Sequence, residues 1–130
     1  MIRILVCGKD GQLATCLNAR ASKFGIKLFC FGRPEVDLTI PETIFETIAA
    51  TKPDIVVNVA AFTNVDLAED MQEQAMLVNG EGARLVSEAC FKHNLPIIHI
   101  STDYVFDGEN IFSYNEHDIT APIGAYGRSK

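Results

Sequence analysis

Apolar residues fall in two alternating patterns along the chain. Short continuous runs, Ile2–Cys7, Ile26–Phe31, Ile55–Ala60 and Ile97–Ile100, are separated by segments in which apolar residues recur every three or four positions. Continuous β-rich runs predict strands buried on both faces, and the 3.6-residue recurrence predicts amphipathic helices. Leu13, Ala14, Leu17 and Ala21 mark a helix from Gln12 to about Lys23. Ile44, Phe45, Ile48 and Ala49 mark a second, with Pro41 in its first turn and an end before Pro53. A third helix is predicted over Gln72–Lys92, ahead of Pro96. Ser101–Pro122 reads as a polar, turn-rich loop, and another helix begins after it.

Strand–helix alternation of this kind predicts an α/β fold, a Rossmann-like doubly wound parallel sheet with right-handed crossovers, formed by residues 1–130 as one NAD(P)-binding domain. Ligands of such sheets bind beyond the carboxyl ends of the strands. Those ends are Gly8–Gly11, Gly32–Arg33, Ala60–Thr63 and Ser101–Thr102, where glycines and polar residues gather.

The turn Gly8-Lys9-Asp10-Gly11-Gln12-Leu13-Ala14 is a GxxGxxA variant of the dinucleotide-binding turn. Its first glycine allows a tight exit from the strand. Its second lets the backbone approach a pyrophosphate at the helix N-terminus, where free N–H groups favour anions. The second strand ends Phe31-Gly32-Arg33 with no carboxylate to hold a ribose 2′-hydroxyl. Arg33 instead suits a 2′-phosphate, which favours NADP(H) over NAD(H) and leaves a solvated surface arginine as the alternative.

The chain has 130 residues, 48% of them hydrophobic, a net charge of −6 and no apolar run near the length of a membrane span. Without Lys/Arg clusters it is a poor candidate for nucleic acid or anionic membranes. Cys7, Cys16, Cys30 and Cys90 form no CxxC pair and read as buried reduced thiols, which suits a cytoplasmic protein. The histidines are scattered, so no metal site is expected. Of these, His99 reads as a satisfied core residue.

Six stretches carry a family resemblance: GKDGQLA (8–14), RPEVDLT (33–39), PDIVVNVAAFTNVDLAE (53–69), VNGEGARLVSEAC (78–90), STDYVFDG (101–108) and EHDITAPIGAYGRSK (116–130). In order and spacing they resemble the N-terminal part of the dTDP-4-dehydrorhamnose reductase family, within the extended short-chain dehydrogenases/reductases. The resemblance implies reduction of the C4 ketone of a dTDP-linked 6-deoxy-sugar with NADPH or NADH. It implies that Gly11, Gln12 and Leu13, with Gly8, line the pyrophosphate. Asp37 and Leu38 would flank the adenine, and Ala61, Phe62 and Thr63 would run along the cofactor. Thr102 and Asp103 would contact the keto-sugar, and Thr102, Tyr126 and Lys130 would form the catalytic set.

Physical chemistry agrees with those roles. Tyr126 and Lys130 are four residues apart, one helical turn. The lysine ammonium favours the phenolate and so lowers a pKa that is ordinarily about 10. The same ammonium could hydrogen-bond the nicotinamide ribose. Simpler readings stand beside each role: Thr102 as a strand-end hydroxyl, Asp103 as a turn or cap, Asn79 as a helix hydrogen-bonding residue rather than part of a proton relay. Glu116 and Asp118 are expected to order the loop before Pro122.

In the family, further strands and a smaller substrate domain follow the YxxxK helix. Lys130 ends this sequence, so the chain is expected to be a partial one that folds in part, binds nucleotide weakly and does not turn over substrate alone. Two alternatives remain. One is a non-catalytic NADP-binding module similar to the regulatory subunit of methionine adenosyltransferase, which Thr102 disfavours because that subunit has serine there. The other is a different nucleotide-sugar reductase or epimerase. A homodimer is left open.

Overall fold

The computed structural model describes all 130 residues. Four strands, β1 (Arg3–Cys7), β2 (Lys27–Phe31), β3 (Ile55–Asn58) and β4 (Ile97–His99), form one wholly parallel sheet in the order β2-β1-β3-β4. The helices are α1 (Gln12–Ala21), α2 (Pro41–Thr51), α3 (Val65–Asp70), α4 (Gln72–Met76), α5 (Gly82–Lys92) and α6 (Ala125–Ser129). This is the expected Rossmann-like α/β architecture.

Alternation along the strands divides the core. Leu5, Cys7 and Val56 point to the face covered by α2 and α5, where Ile44, Ile48, Val86, Ala89 and Cys90 close over them. Val6 and Val57 point the other way and meet Ala14 of α1, with Ile4 and Leu17 beside them. Pro41 begins α2 from the first-turn position that needs no N–H donor. Strand and helix ends fall within one to three residues of the expected ones.

Three expectations are corrected, and one helix is added. The helix expected over Gln72–Lys92 is interrupted by a π turn at Leu77–Glu81, where Gly80 and Gly82 weaken the regular α-helical preference. A separate helix, α3, precedes it, started by Asn64, whose side chain accepts the Leu67 N–H at 2.9 Å. β4 is not buried on both faces: Ile97 packs on the core, but Ile98 is 49% exposed because no helix covers that side of the sheet edge. His99, on the same face as Ile97 but at the end of this edge strand, is exposed rather than a core histidine. Its Nδ1 lies 3.1 Å from Asn58 Nδ2, and partial burial, then the Lys130 ammonium, hold its ring below the ordinary value.

The thiols also divide. Cys7 and Cys90 are buried, Cys30 is half-buried, and Cys16 is exposed on α1, contrary to the uniform burial expected. Burial, and secondarily the neighbouring Cys90, push the Cys7 thiol up to about 12; burial pushes Cys90 to about 11. The thiolate is the reactive form. Iodoacetamide at mildly alkaline pH is therefore expected to label Cys16 first and to leave Cys7 and Cys90 unmodified until denaturant is added. Mass mapping of the labelled peptides checks this.

Candidate functional site

Because the strands are parallel, their carboxyl ends share one edge, and the chain leaves each strand there through small or polar residues. A cleft of about 590 Å³ opens along that edge. It is lined by Gly8–Gly11 after β1, Gly32 and Arg33 after β2, and Val59–Thr63 after β3, with Val36–Thr39 closing one end.

Gly8 is required by the fold itself. Its φ is +117°, and a Cβ there would stand 2.9 Å from Val59 Cγ2 and 3.2 Å from the Ala60 nitrogen. Gly11 differs: nothing lies within 4 Å of the place where its Cβ would be. No side chain caps the first turn of α1 that follows, so N–H groups that a helix cannot pair internally are left at the cleft. Gln12 and Leu13 are exposed on that turn at the cleft's rim and do not line it.

Arg33 lines the cleft beside a second cation that sequence reasoning passed over. Lys9 Nζ donates to the Arg33 carbonyl at 3.0 Å and pairs with Glu35 at 3.3 Å. Its position inside the glycine turn was the available signal. Asp37 and Leu38 also line the cleft. The Asp37 carboxylate accepts the Thr39 hydroxyl (2.7 Å) and N–H (2.9 Å), which holds it below the usual carboxylate range. It thus shapes the turn as well as facing the cavity.

Tyr126 sits on α6, with Lys130 just past its last residue, and faces a second cavity of about 410 Å³. Asp103, Tyr104, Phe106, Ile123 and Tyr126 line it, and Tyr104 meets Tyr126 edge-on with centroids 5.6 Å apart. Phe106 and Tyr114 stack in parallel at 4.4 Å, and Tyr114 donates to Asp107 at 2.5 Å, fixing the loop that forms the wall. Thr102 and Lys130 line neither cavity. Thr102 Oγ1 accepts the Tyr104 N–H at 3.2 Å and donates to Asp103 at 3.4 Å, so the cap expected of Asp103 is made by Thr102 instead. Asp118 accepts the Asn115 N–H at 2.8 Å within the loop, whereas Glu116 reaches only His117, at 3.9 Å.

Lys130 Nζ donates to the Ile100 carbonyl at 2.7 Å, which ties the end of α6 to the residue after β4. Burial holds this lysine below its ordinary value. Gly127 brings α6 onto the loop. A Cβ there would collide with the Tyr104 carbonyl oxygen and stand 3.0 Å from Pro122 Cβ. No group of three His, Cys, Asp or Glu side chains is close enough to hold a metal ion, and no helix is long and apolar enough to cross a membrane.

Residues 2–130 match the protein family described as the RmlD substrate binding domain, and the chain belongs to that family. A dTDP-4-dehydrorhamnose reductase from Sinorhizobium fredii is 43% identical over 129 residues, 99% of this chain and 43% of the relative. A dTDP-4-keto-6-deoxy-D-glucose reductase from Streptomyces niveus is 37% identical, covering 98% of this chain and 44% of the relative. The crystal structure of a dTDP-4-dehydrorhamnose reductase from Bacillus anthracis in complex with NADP is similar at a TM-score of 0.94 and 32% identity, over 99% of this chain and 46% of that one. The chain thus spans less than half the length of the curated relatives it matches.

The contact at Gly127 yields a direct check. Gly127→Ala forces α6 away from the Tyr104 carbonyl and is expected to destabilise the protein by about 1–3 kcal/mol, the usual range for overpacking. A denaturant titration that shows an unchanged midpoint would contradict the packing described.

Proposed function

We propose that this chain carries the dinucleotide- and ketone-handling residues of an NADPH-dependent reductase. Its substrate would be the C4 ketone of a dTDP-linked 4-dehydro-6-deoxy-sugar, with dTDP-4-dehydrorhamnose reduced to dTDP-L-rhamnose. The observation that carries the reading is the open cleft at Gly11, in a chain that matches the family over residues 2–130. Nothing in the protein crowds that position, which leaves room for a ligand's close approach.

The residues present fit a dinucleotide. Gly8, Gly11, Gln12 and Leu13 surround the uncapped start of α1, where a pyrophosphate would meet free N–H groups. Arg33, with Lys9 beside it, offers positive charge to a 2′-phosphate, which supports NADP(H) over NAD(H). Asp37 and Leu38 suit the adenine end, and Ala61, Phe62 and Thr63 suit the remainder of the cleft. The bound nucleotide supplies the hydride.

Tyr126 would give its phenolic proton to the ketone oxygen as negative charge develops there. Thr102 would donate a second hydrogen bond to that oxygen, and Asp103 would hold sugar hydroxyls. Lys130, as an ammonium, would favour the phenolate left on Tyr126 and would hydrogen-bond the nicotinamide ribose. The free thiols agree with a cytoplasmic setting.

Loss of NADPH absorbance on adding dTDP-4-dehydrorhamnose tests the reading, in a protein that joins this chain to the remaining length its reductase relatives have. Tyr126→Phe is expected to lower kcat by about 10²–10⁴-fold, the usual worth of a positioned general acid. Gly11→Ala is expected to weaken NADPH binding while leaving the thermal midpoint within a few degrees. Equal turnover by Tyr126→Phe, or unchanged NADPH affinity in Gly11→Ala, would defeat the assignment.

A further inference from the structure

Helix α6 is only five residues long, and no side chain of its own caps its first turn. A helix so short has little stability by itself. Two polar side chains from the preceding helical segment hold it instead. Glu69 of α3 accepts the Ala125 N–H at 2.7 Å, at the start of α6. Asn79, in the π turn, donates from Nδ2 to Ser129 Oγ at 2.8 Å, at its end. Ser129 Oγ in turn donates to the Tyr126 carbonyl at 2.7 Å. Between these two ties lie Ala68, Ala75 and Ala125, all buried, whose small side chains let α3 and α4 approach α6 closely.

Asn79 does more than hold the helix. It is 3% exposed. Its Oδ1 accepts the Phe62 N–H at 2.7 Å, and its Nδ2 also donates to the Phe62 carbonyl at 3.1 Å. One buried amide therefore satisfies both backbone groups of a residue in the cleft wall and, from the same nitrogen, the hydroxyl near the end of α6. Both Nδ2 hydrogens are committed, so this side chain has no proton to relay. The π turn matters here because it sets Asn79 inward while its neighbour Val78 lines the cleft.

We propose that Glu69, Asn79 and Ser129 are positioning residues that fix the axial setting of α6, and with it Tyr126 and Lys130. Through Asn79, that setting is tied to the Phe62 wall of the nucleotide cleft. The inference rests on the reductase reading above. Its consequence is that the cleft and the Tyr126–Lys130 helix respond together when the Asn79 amide is removed, and separately when either of the other ties is.

The test compares Glu69→Ala, Ser129→Ala and Asn79→Ala, in the same joined protein, by NADPH fluorescence titration and steady-state reduction, with circular dichroism to correct for folded fraction. All three variants are expected to lose about tenfold in kcat per folded molecule, within the cost of small misplacements at a reacting centre. Only Asn79→Ala is expected also to raise the NADPH dissociation constant, by about fivefold to tenfold, because only it frees Phe62. Unchanged NADPH affinity in Asn79→Ala, an equal rise in all three variants, or normal kcat in Glu69→Ala and Ser129→Ala would overturn the proposal. If the wild-type protein binds NADPH but reduces no dTDP-4-keto-sugar, the functional reading fails. The dissociation constants then decide the Asn79–Phe62 tie by themselves: a rise in Asn79→Ala alone upholds it, and any other result removes it.

Discussion

All four strands run parallel, and that single constraint sends every strand's carboxyl end to the same edge of the sheet. Crossovers then return on the two faces, so the edge stays open while both faces fill with apolar side chains. What the chain places at that edge decides its chemistry. After β1 it places a glycine turn, after β2 a glycine and an arginine, and after β3 a stretch of small residues. Gly8 shows how tight the edge is, since the exits of β1 and β3 approach too closely for any side chain there.

The ionisable groups at this edge follow the same logic. Lys130 is partly removed from water, which disfavours its ammonium and holds its pKa below the usual value. The sign matters. A lysine with a lowered folded-state pKa contributes no stability from its charge; near neutrality it costs the fold some, and that cost fades as pH rises through its folded value. The bond from its Nζ to the Ile100 carbonyl, at 2.7 Å, offsets part of that penalty. Asp37 shows the opposite case, a carboxylate kept ionised by the Thr39 hydroxyl and N–H, so its contribution persists until the pH falls through its lowered value.

Much of this was legible in the residues. The runs Ile2–Cys7 and Ile55–Ala60 read as buried strands, and Gly8 with Gly11 after the first of them marked the cleft. What escaped depends on distant packing. His99 lies in an apolar run, yet how far the core reaches along an edge strand is not written in the run itself. The break in the Gln72–Lys92 helix came from Gly80 and Gly82 together with a polar side chain that had to turn inward to reach Phe62 and Ser129. Glu69 looked like one acid among several; only the fold brings it to Ala125, 56 residues on. Lys9 was visible inside the glycine turn, but its pairing with Glu35 required β1 and β2 to be placed side by side.

The central claim is that the carboxyl edge of this sheet is a dinucleotide cleft coupled to the helix that bears Tyr126 and Lys130. Amide resonances followed by ¹⁵N correlation spectra during an NADPH titration test it most directly. The account predicts saturable shifts at Gly8–Gly11, Gly32–Arg33 and Ala61–Thr63, accompanied by shifts at Tyr126–Lys130. Shifts confined to other surfaces, or none at saturating NADPH, would contradict it.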